Sequence, residues 1–426
     1  MFTSQILKNG LRLITAPMVG TKTATVLVIV GTGSKFENKR NNGISHFLEH
    51  MFFKGTTKRP NTLSLASELD KVGGEYNAFT SKESTGYWVK VEASQLELIV
   101  EVLADMLLNS KIAAEEIERE KGVIVEELNM YLDNPLFYIE DLFEQCLYGD
   151  SPAGWDTIGT KENILSFKRQ DFIDYLSLHY PVANLIVCLA GKINPRAVKL
   201  VSRYFADFKQ SGYKDKQPVK EKQSQPQVRL HYKKTDQAHL SVGVRAVAFG
   251  HQDEITLKII SAILGGSMSS RLFTSLRERR GLAYYVRTNW ELYTDSGYLT
   301  TGAGVPLDKV DQAVKIILTE YKKITEELVK IEELDKVKQL LVGRTALQLE
   351  SSDDIANWYG RQAILLHEQK RGNKILTPAD YYQKVKRVNS RDIIRVAREI
   401  FVDSKLNLAV IGPYKNEKSF ERILRI

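Results

Sequence analysis

The stretch Asn41–Thr56, NNGISHFLEHMFFKGT, contains two of the seven histidines in a chain of 426 residues. His46 and His50 stand four apart, with Glu49 beside the second. At 100° per residue, Ile44, Phe47, Leu48, Met51 and Phe52 gather around one direction, the i, i+3, i+4, i+7, i+8 stripe of a core-facing helix. His46, Glu49 and His50 fall at about 200°, 140° and 240° from Ile44, on the face opposite that stripe. A plain surface helix would put Lys and Glu there. Residues four apart on a helix have Cβ atoms about 5–6 Å from one another, so both imidazoles can reach one ion. Zinc favours tetrahedral nitrogen and oxygen donors, and catalytic sites use three protein ligands plus water. Glu49 is placed to take the proton of a water whose pKa the metal has lowered to about 7. The pattern therefore points to hydrolysis with a carboxylate as general base. Its bland alternative is a pair of exposed helix histidines, from which the acid between them sets it apart.

Such a set needs a third ligand from another rigid element. His179, His231, His239, His251 and His367 stand alone in the sequence and read as structural. The acidic stretch AAEEIEREKGVIVEELNMYLDNP reads as a helix anchored by Ile117, Ile124 and Leu128, with Pro135 past its end. Glu120 and Glu127 are seven apart and lie within about 20° of one another on one face, whereas Glu126 points about 100° away. Spacing does not choose among the three, and an acid-rich helix face is commonly just solvated. Gly122, inside this helix, costs about 1 kcal/mol in propensity and suggests close packing.

Beyond the motif, the chain reads as two copies of one pattern. DFIDYLSLHYPVANLIVCLAG (Asp171–Gly191) and DIIRVAREIFVDSKLNLAVIG (Asp392–Gly412) each read as a helix, a break and a buried strand closed by glycine. Each half opens with strands, TATVLVIVGTG and AHLSVGVRAVAF, and each later carries a glycine-rich turn into further strands. Between them, Lys209–Gln227 is rich in Lys, Gln and Pro and reads as a solvated linker. The expectation is α+β: tandem homologous α/β layer domains at 1–208 and 228–426, each a mixed sheet covered by helices on one face. At the offset matching the motif the second half has GGSMSSRLF, without histidine or acid at that spacing.

Composition is ordinary for a globular chain, at 43% apolar and 26% charged. The net charge of +8 is dispersed, without the aromatic-flanked basic stripe of a nucleic-acid binder. Cys146 and Cys188 sit in apolar surroundings and read as reduced core residues. There is no run of eighteen apolar residues and no basic start leading into an apolar block, so a cytoplasmic protein without a membrane span is expected.

His46-Phe-Leu-Glu49-His50 is the His-x-x-Glu-His arrangement of the inverzincins. With ENKRNNGISHFLEHMFFKGT and the downstream EREKGVIVEEL, the whole chain resembles the pitrilysin family, which includes insulysin and the mitochondrial processing peptidase. Its length is similar to the two-domain branch that assembles as a dimer. The resemblance implies a clamshell-shaped zinc endopeptidase for unfolded peptides or small proteins, with one Zn2+ per chain. His46, His50 and Glu127 would be the ligands, Glu49 the general base and Glu120 a support to the site through a hydrogen bond to a histidine. Asn77, Ala78 and Phe79, in EYNAFTS, would hold the peptide by strand addition. From LRERRGLAY, Arg277 and Tyr284 would reach the carbonyl oxygen under attack, with neighbouring Tyr285 an alternative to Tyr284. The partner would be a second copy or an inactive homologue.

Two rival readings stand beside this one. A non-catalytic scaffold of the same architecture would usually have lost the motif that this chain keeps. VLVIVGTGSKFENKRNNG superficially suggests a phosphate loop, but it lacks the lysine-hydroxyl ending and the full glycine fingerprint.

Overall fold

The strands of the first half are β1 (Thr3–Ile6), β2 (Arg12–Pro17), β3 (Thr23–Val30), β4 (Glu75–Thr80), β5 (Thr85–Glu92) and β6 (Leu185–Gly191). They form one mixed sheet in the order β1-β2-β6-β3-β5-β4, in the computed structural model, which describes residues 2–369 and 374–426. β2 and β6 run parallel, and the other neighbours run antiparallel. The second half supplies β7 (Gln227–Tyr232), β8 (Gln237–Arg245), β9 (Tyr285–Leu292), β10 (Gly297–Pro306) and β11 (Leu406–Gly412), ordered β7-β11-β8-β10-β9. Here β7 and β11 are parallel, as β2 and β6 are in the first sheet, and the rest are antiparallel. Setting β1 aside, the two sheets have the same order and the same strand directions, so one topology occurs twice.

Helix α1 (Ile44–Phe52) and α2 (Thr62–Asp70) lie between β3 and β4 in sequence; α3 (Leu96–Asn109), α4 (Ala114–Asp133) and α5 (Pro135–Tyr148) follow β5. The helix at α1's place in the second topology, between β8 and β9, is Glu254–Gly265, and it has no histidine.

Both faces of the first sheet are covered, which corrects the one-faced expectation. Along β3, Ala24 through Val30 are all buried, so the residues of both faces are out of water. Phe52 of α1 meets Tyr87, the neighbour of Val28, on one face. On the other, a Cβ added to Gly360 of helix Ser352–Gln369 would come within 2.9 Å of Ile29 and 3.3 Å of Leu27. Glycine at 360 therefore lets that helix lie close on the sheet.

Helix Ser352–Gln369 comes from the second half of the sequence yet packs on the first sheet. Conversely α5, from the first half, packs on β7, β8 and β11 of the second. There Tyr138, Leu142 and Phe143 join Tyr293, Tyr298 and Ile411 in one core, and Tyr293 and Tyr298 donate to the buried Glu144 carboxylate. The compact units are accordingly discontinuous. One comprises residues 1–129, 156–217 and 347–376; the other 130–155, 218–346 and 377–426. This differs from the linear division into 1–208 and 228–426.

Residues 209–226 have no regular secondary structure, but they are anchored. Within the first unit, Tyr213 Oη lies 3.2 Å from His367 Nε2, and Lys216 Nζ sits over the Phe36 ring. Cys146 and Cys188 are buried and free, and burial pushes the Cys146 thiol up to about 12. No helix among the described residues is long and apolar enough to cross a membrane.

Gly122 has no packing role: nothing lies within 4 Å of a Cβ built on it. Gly122→Ala is expected to stabilise the protein by about 0.5–1 kcal/mol, through helix propensity alone. Gly360→Leu should cost about 1–3 kcal/mol by overpacking the contact with the sheet. Thermal unfolding of the two variants against the parent checks the opposite signs.

Candidate metal centre

α1 begins at a backbone position that only glycine fits well. Gly43 has φ 99°, and an added Cβ would come within 2.4 Å of the Ile158 carbonyl oxygen. The free N–H groups of the first turn go to a buried carboxylate. Glu37 Oε2 accepts from the Gly43 N–H (2.8 Å) and from Asn42 Nδ2 (3.0 Å), and Oε1 accepts from the Ser45 N–H (2.9 Å). A negative group there suits the positive end of the helix dipole. Burial pushes the Glu37 carboxyl up, against these hydrogen bonds. Sequence reasoning gave Glu37 no role, although it lies in the ENKRNNG run just ahead of the helix.

The apolar stripe of α1 is fully packed: Ile44, Phe47, Leu48, Met51 and Phe52 are each at most 1% exposed. Phe47 meets Phe167 edge-on and Phe172 at a tilt. With that face fixed, His46, Glu49 and His50 turn toward α4, whose own rotation is set by buried Ile117, Ile124 and Leu128.

The result is a convergence of donors. One ligand atom each from His46, His50 and Glu127 lie within 4.8 Å of one another. His46 Nε2 is 3.5 Å from Glu127 Oε1, and His50 Nε2 is 3.4 Å from Glu127 Oε2. Ligand bonds of about 2.0–2.2 Å at tetrahedral angles separate donor atoms by about 3.3–3.6 Å, so these imidazole–carboxylate separations fit zinc. Glu120 lies behind the ring: its Oε1 is 2.8 Å from His50 Nδ1, and Oε2 pairs with Lys54. An ionised carboxylate only accepts, so His50 carries a proton on Nδ1 and turns Nε2 to the site. Glu126 is exposed, off this face.

The charges favour a cation at that point. Burial disfavours an imidazolium at His50, but Glu120 and Glu127 outweigh it and raise the pKa to about 9. Hydrogen bonds from His46 and His50 hold the Glu127 carboxyl well below the usual range. For Glu120, burial is outweighed by His50 and Lys54, and its pKa is lowered. The carboxylates that favour a proton on His50 would equally favour a divalent ion. Glu49 stands apart from the donors, half-buried; burial raises its pKa, against a hydrogen bond from Thr80. Thr80 Oγ1 donates to Glu49 Oε2 at 2.5 Å.

β4, with Asn77, Ala78 and Phe79, is the last strand of its sheet and pairs only with β5 among the described residues. In the second unit, Arg277 lies on the helical turn Phe273–Glu278, with its guanidinium 5.9 Å from the centre of the Tyr284 ring and 5.0 Å from that of Phe273. Tyr284 is 75% exposed, whereas Tyr285 lies half-buried in β9 with its hydroxyl 3.1 Å from His239 Nδ1. That leaves Tyr284 the freer of the two phenols. Thr80 and Lys54 were missed in the sequence. Thr80 ends the EYNAFT strand and Lys54 lies four residues after His50, but neither position signals a partner.

Residues 13–161 match the model of the insulinase family, peptidase family M16, and residues 166–341 match that of the peptidase M16 inactive domain. The uncharacterized zinc protease YmxG of Bacillus subtilis is 34% identical across 97% of this chain and 98% of its own. An uncharacterized zinc protease of Streptomyces coelicolor is 33% identical across 97% of this chain and 90% of its own. The crystal structure of a protease from Helicobacter pylori superposes with a TM-score of 0.90 at 26% identity, covering 97% of this chain and 99% of that one.

Zinc titration of the variants tests the donor set. His50→Ala and Glu127→Ala are expected to abolish binding. Glu120→Gln should weaken it about 10–100-fold through the lost support of His50, and Glu49→Gln should leave it intact.

Proposed function

The chain belongs to the insulinase-type M16 peptidase family, and we propose that it is a zinc-dependent endopeptidase acting on unfolded peptides or small proteins. The observation that carries this reading is the meeting of His46, His50 and Glu127 with Glu49 alongside but outside the donor set. One zinc ion per chain would be held by those three side chains and would supply Lewis acidity toward a water and the scissile carbonyl. Glu49 takes the proton of the attacking water and returns it to the leaving amine. Its raised pKa suits both roles, since a base nearer neutrality is also a usable acid. Glu120 keeps His50 in the tautomer and orientation the site requires.

The substrate lies along the open side of β4, where Asn77, Ala78 and Phe79 offer backbone groups for strand addition. Main-chain pairing requires an extended peptide and reads little of its side chains, which favours unfolded substrates. Arg277 and Tyr284 contact the substrate, the guanidinium and phenol suiting a carbonyl oxygen that gains negative charge. The working form is a dimer, of two copies or of this chain with an inactive homologue. The complete donor set and base weigh against a purely structural role, because a scaffold has no use for them.

Digestion of a mixed peptide library by protein of measured zinc content tests the reading. Cleavage should stop with 1,10-phenanthroline and return with zinc; indifference to chelation would refute it. Glu49→Gln should abolish turnover with zinc still bound, and full activity in that variant would remove the base assigned here. Arg277→Ala should lower kcat while zinc content stays unchanged.

A further inference from the structure

We infer that Thr80 is a positioning residue for Glu49, so that the strand proposed to receive the peptide also aims the base that serves its hydrolysis. The inference rests on the peptidase reading above and goes beyond it by assigning a residue outside the ligand set and the base.

Among the described residues Thr80 is the only hydrogen-bond donor to the Glu49 carboxylate, at 2.5 Å from Oε2. A glutamate has three rotatable side-chain bonds, and a base must lie within about 2.6–3.2 Å of the proton it takes. A hydroxyl fixed on Oε2 restrains the carboxylate plane and leaves Oε1 to face the water. When the proton moves, it arrives on Oε1, while Thr80 keeps its own proton and its bond to Oε2.

Thr80 is itself held firmly. It ends β4 opposite Thr85, and the turn beyond it is closed by the Ser81 N–H donating to the Ser84 carbonyl (2.8 Å). That turn is tied to the chain ahead of α1: the Ser34 N–H donates to the Ser81 carbonyl (3.2 Å) and the Lys35 N–H to the Lys82 carbonyl (2.8 Å). Lys35 and Glu83 add an ion pair at 2.8 Å, with both side chains almost wholly buried. Two residues after Lys35, Glu37 caps the first turn of α1. A continuous set of hydrogen bonds thus fixes the end of β4 relative to the start of the helix that carries Glu49. Asn77, Ala78 and Phe79 immediately precede Thr80, so a peptide paired there lies along the strand whose last residue holds the base.

Thr80→Val keeps the branched shape and removes the hydroxyl; Thr80→Ser keeps the hydroxyl. With a peptide that the parent cleaves, Thr80→Val should lower kcat about 10–100-fold and leave KM within about twofold. Zinc content and thermal midpoint should match the parent. Thr80→Ser should recover kcat to within about threefold of the parent. The inference is overturned if Thr80→Val keeps the parent kcat while Glu49→Gln is inactive, if Thr80→Ser is as slow as Thr80→Val, or if the loss falls on KM or zinc content. A parent protein that carries zinc and cleaves no peptide would instead overturn the peptidase reading, and this inference with it.

Discussion

The rotation of α1 about its own axis governs the site. Five large apolar side chains on one face of that helix are removed from water almost completely. At about 1.5–3 kcal/mol each, their burial is worth on the order of 10 kcal/mol, well above what any single contact among the polar groups supplies. A turn of the helix by one residue would expose part of that face. The packing therefore fixes the outward direction of His46, Glu49 and His50 before any ion is involved. Glu37 does the same for position along the axis by binding the first-turn N–H groups, and Gly43 admits the chain at an angle that other residues would resist.

The second constraint is the layered support of each polar group. His50 is held by Glu120, which is held by Lys54, while Glu49 is held by Thr80. Two carboxylates, Glu127 and Glu120, meet two imidazoles and one ammonium here, and a third, Glu49, lies beside them. Each acid has a different neighbourhood: Glu127 faces both rings, Glu120 sits between an imidazole and a lysine, and Glu49, half-buried, meets a hydroxyl. The shifts follow, downward for Glu127 and Glu120 and upward for Glu49. One residue type thus fills three roles according to its surroundings.

The repeated sheet shows how one topology serves two purposes. The order of strands and their directions recur, yet helix Glu254–Gly265, at α1's place in the second unit, is almost wholly buried and has no histidine. The exchange of one helix each way, α5 to the second sheet and Ser352–Gln369 to the first, makes neither unit a continuous segment. A helix from the second half of the chain thus completes the burial of β3 on the face opposite α1.

Local pattern carried a great deal. The stripe of α1, most strands of the two halves though not β7, the extent of α4 ahead of Pro135 and the two-fold repetition follow from periodicities of 3.6 and 2 and from turn residues, which depend on near neighbours in sequence. The chemistry of His46, Glu49 and His50 was legible for the same reason, since one helical turn brings them together. Spacing did not distinguish Glu120, Glu126 and Glu127, because that choice depends on which face of α4 packs inward, and Ile117, Ile124 and Leu128 settle it only against the rest of the unit. Glu37, Lys54 and Thr80 were invisible, and Gly122 misleading, because a contact to a distant segment leaves no periodic trace. The exchanged helices escaped notice too: an amphipathic helix encodes that it must bury a face, while which sheet it covers is decided by the tertiary fold.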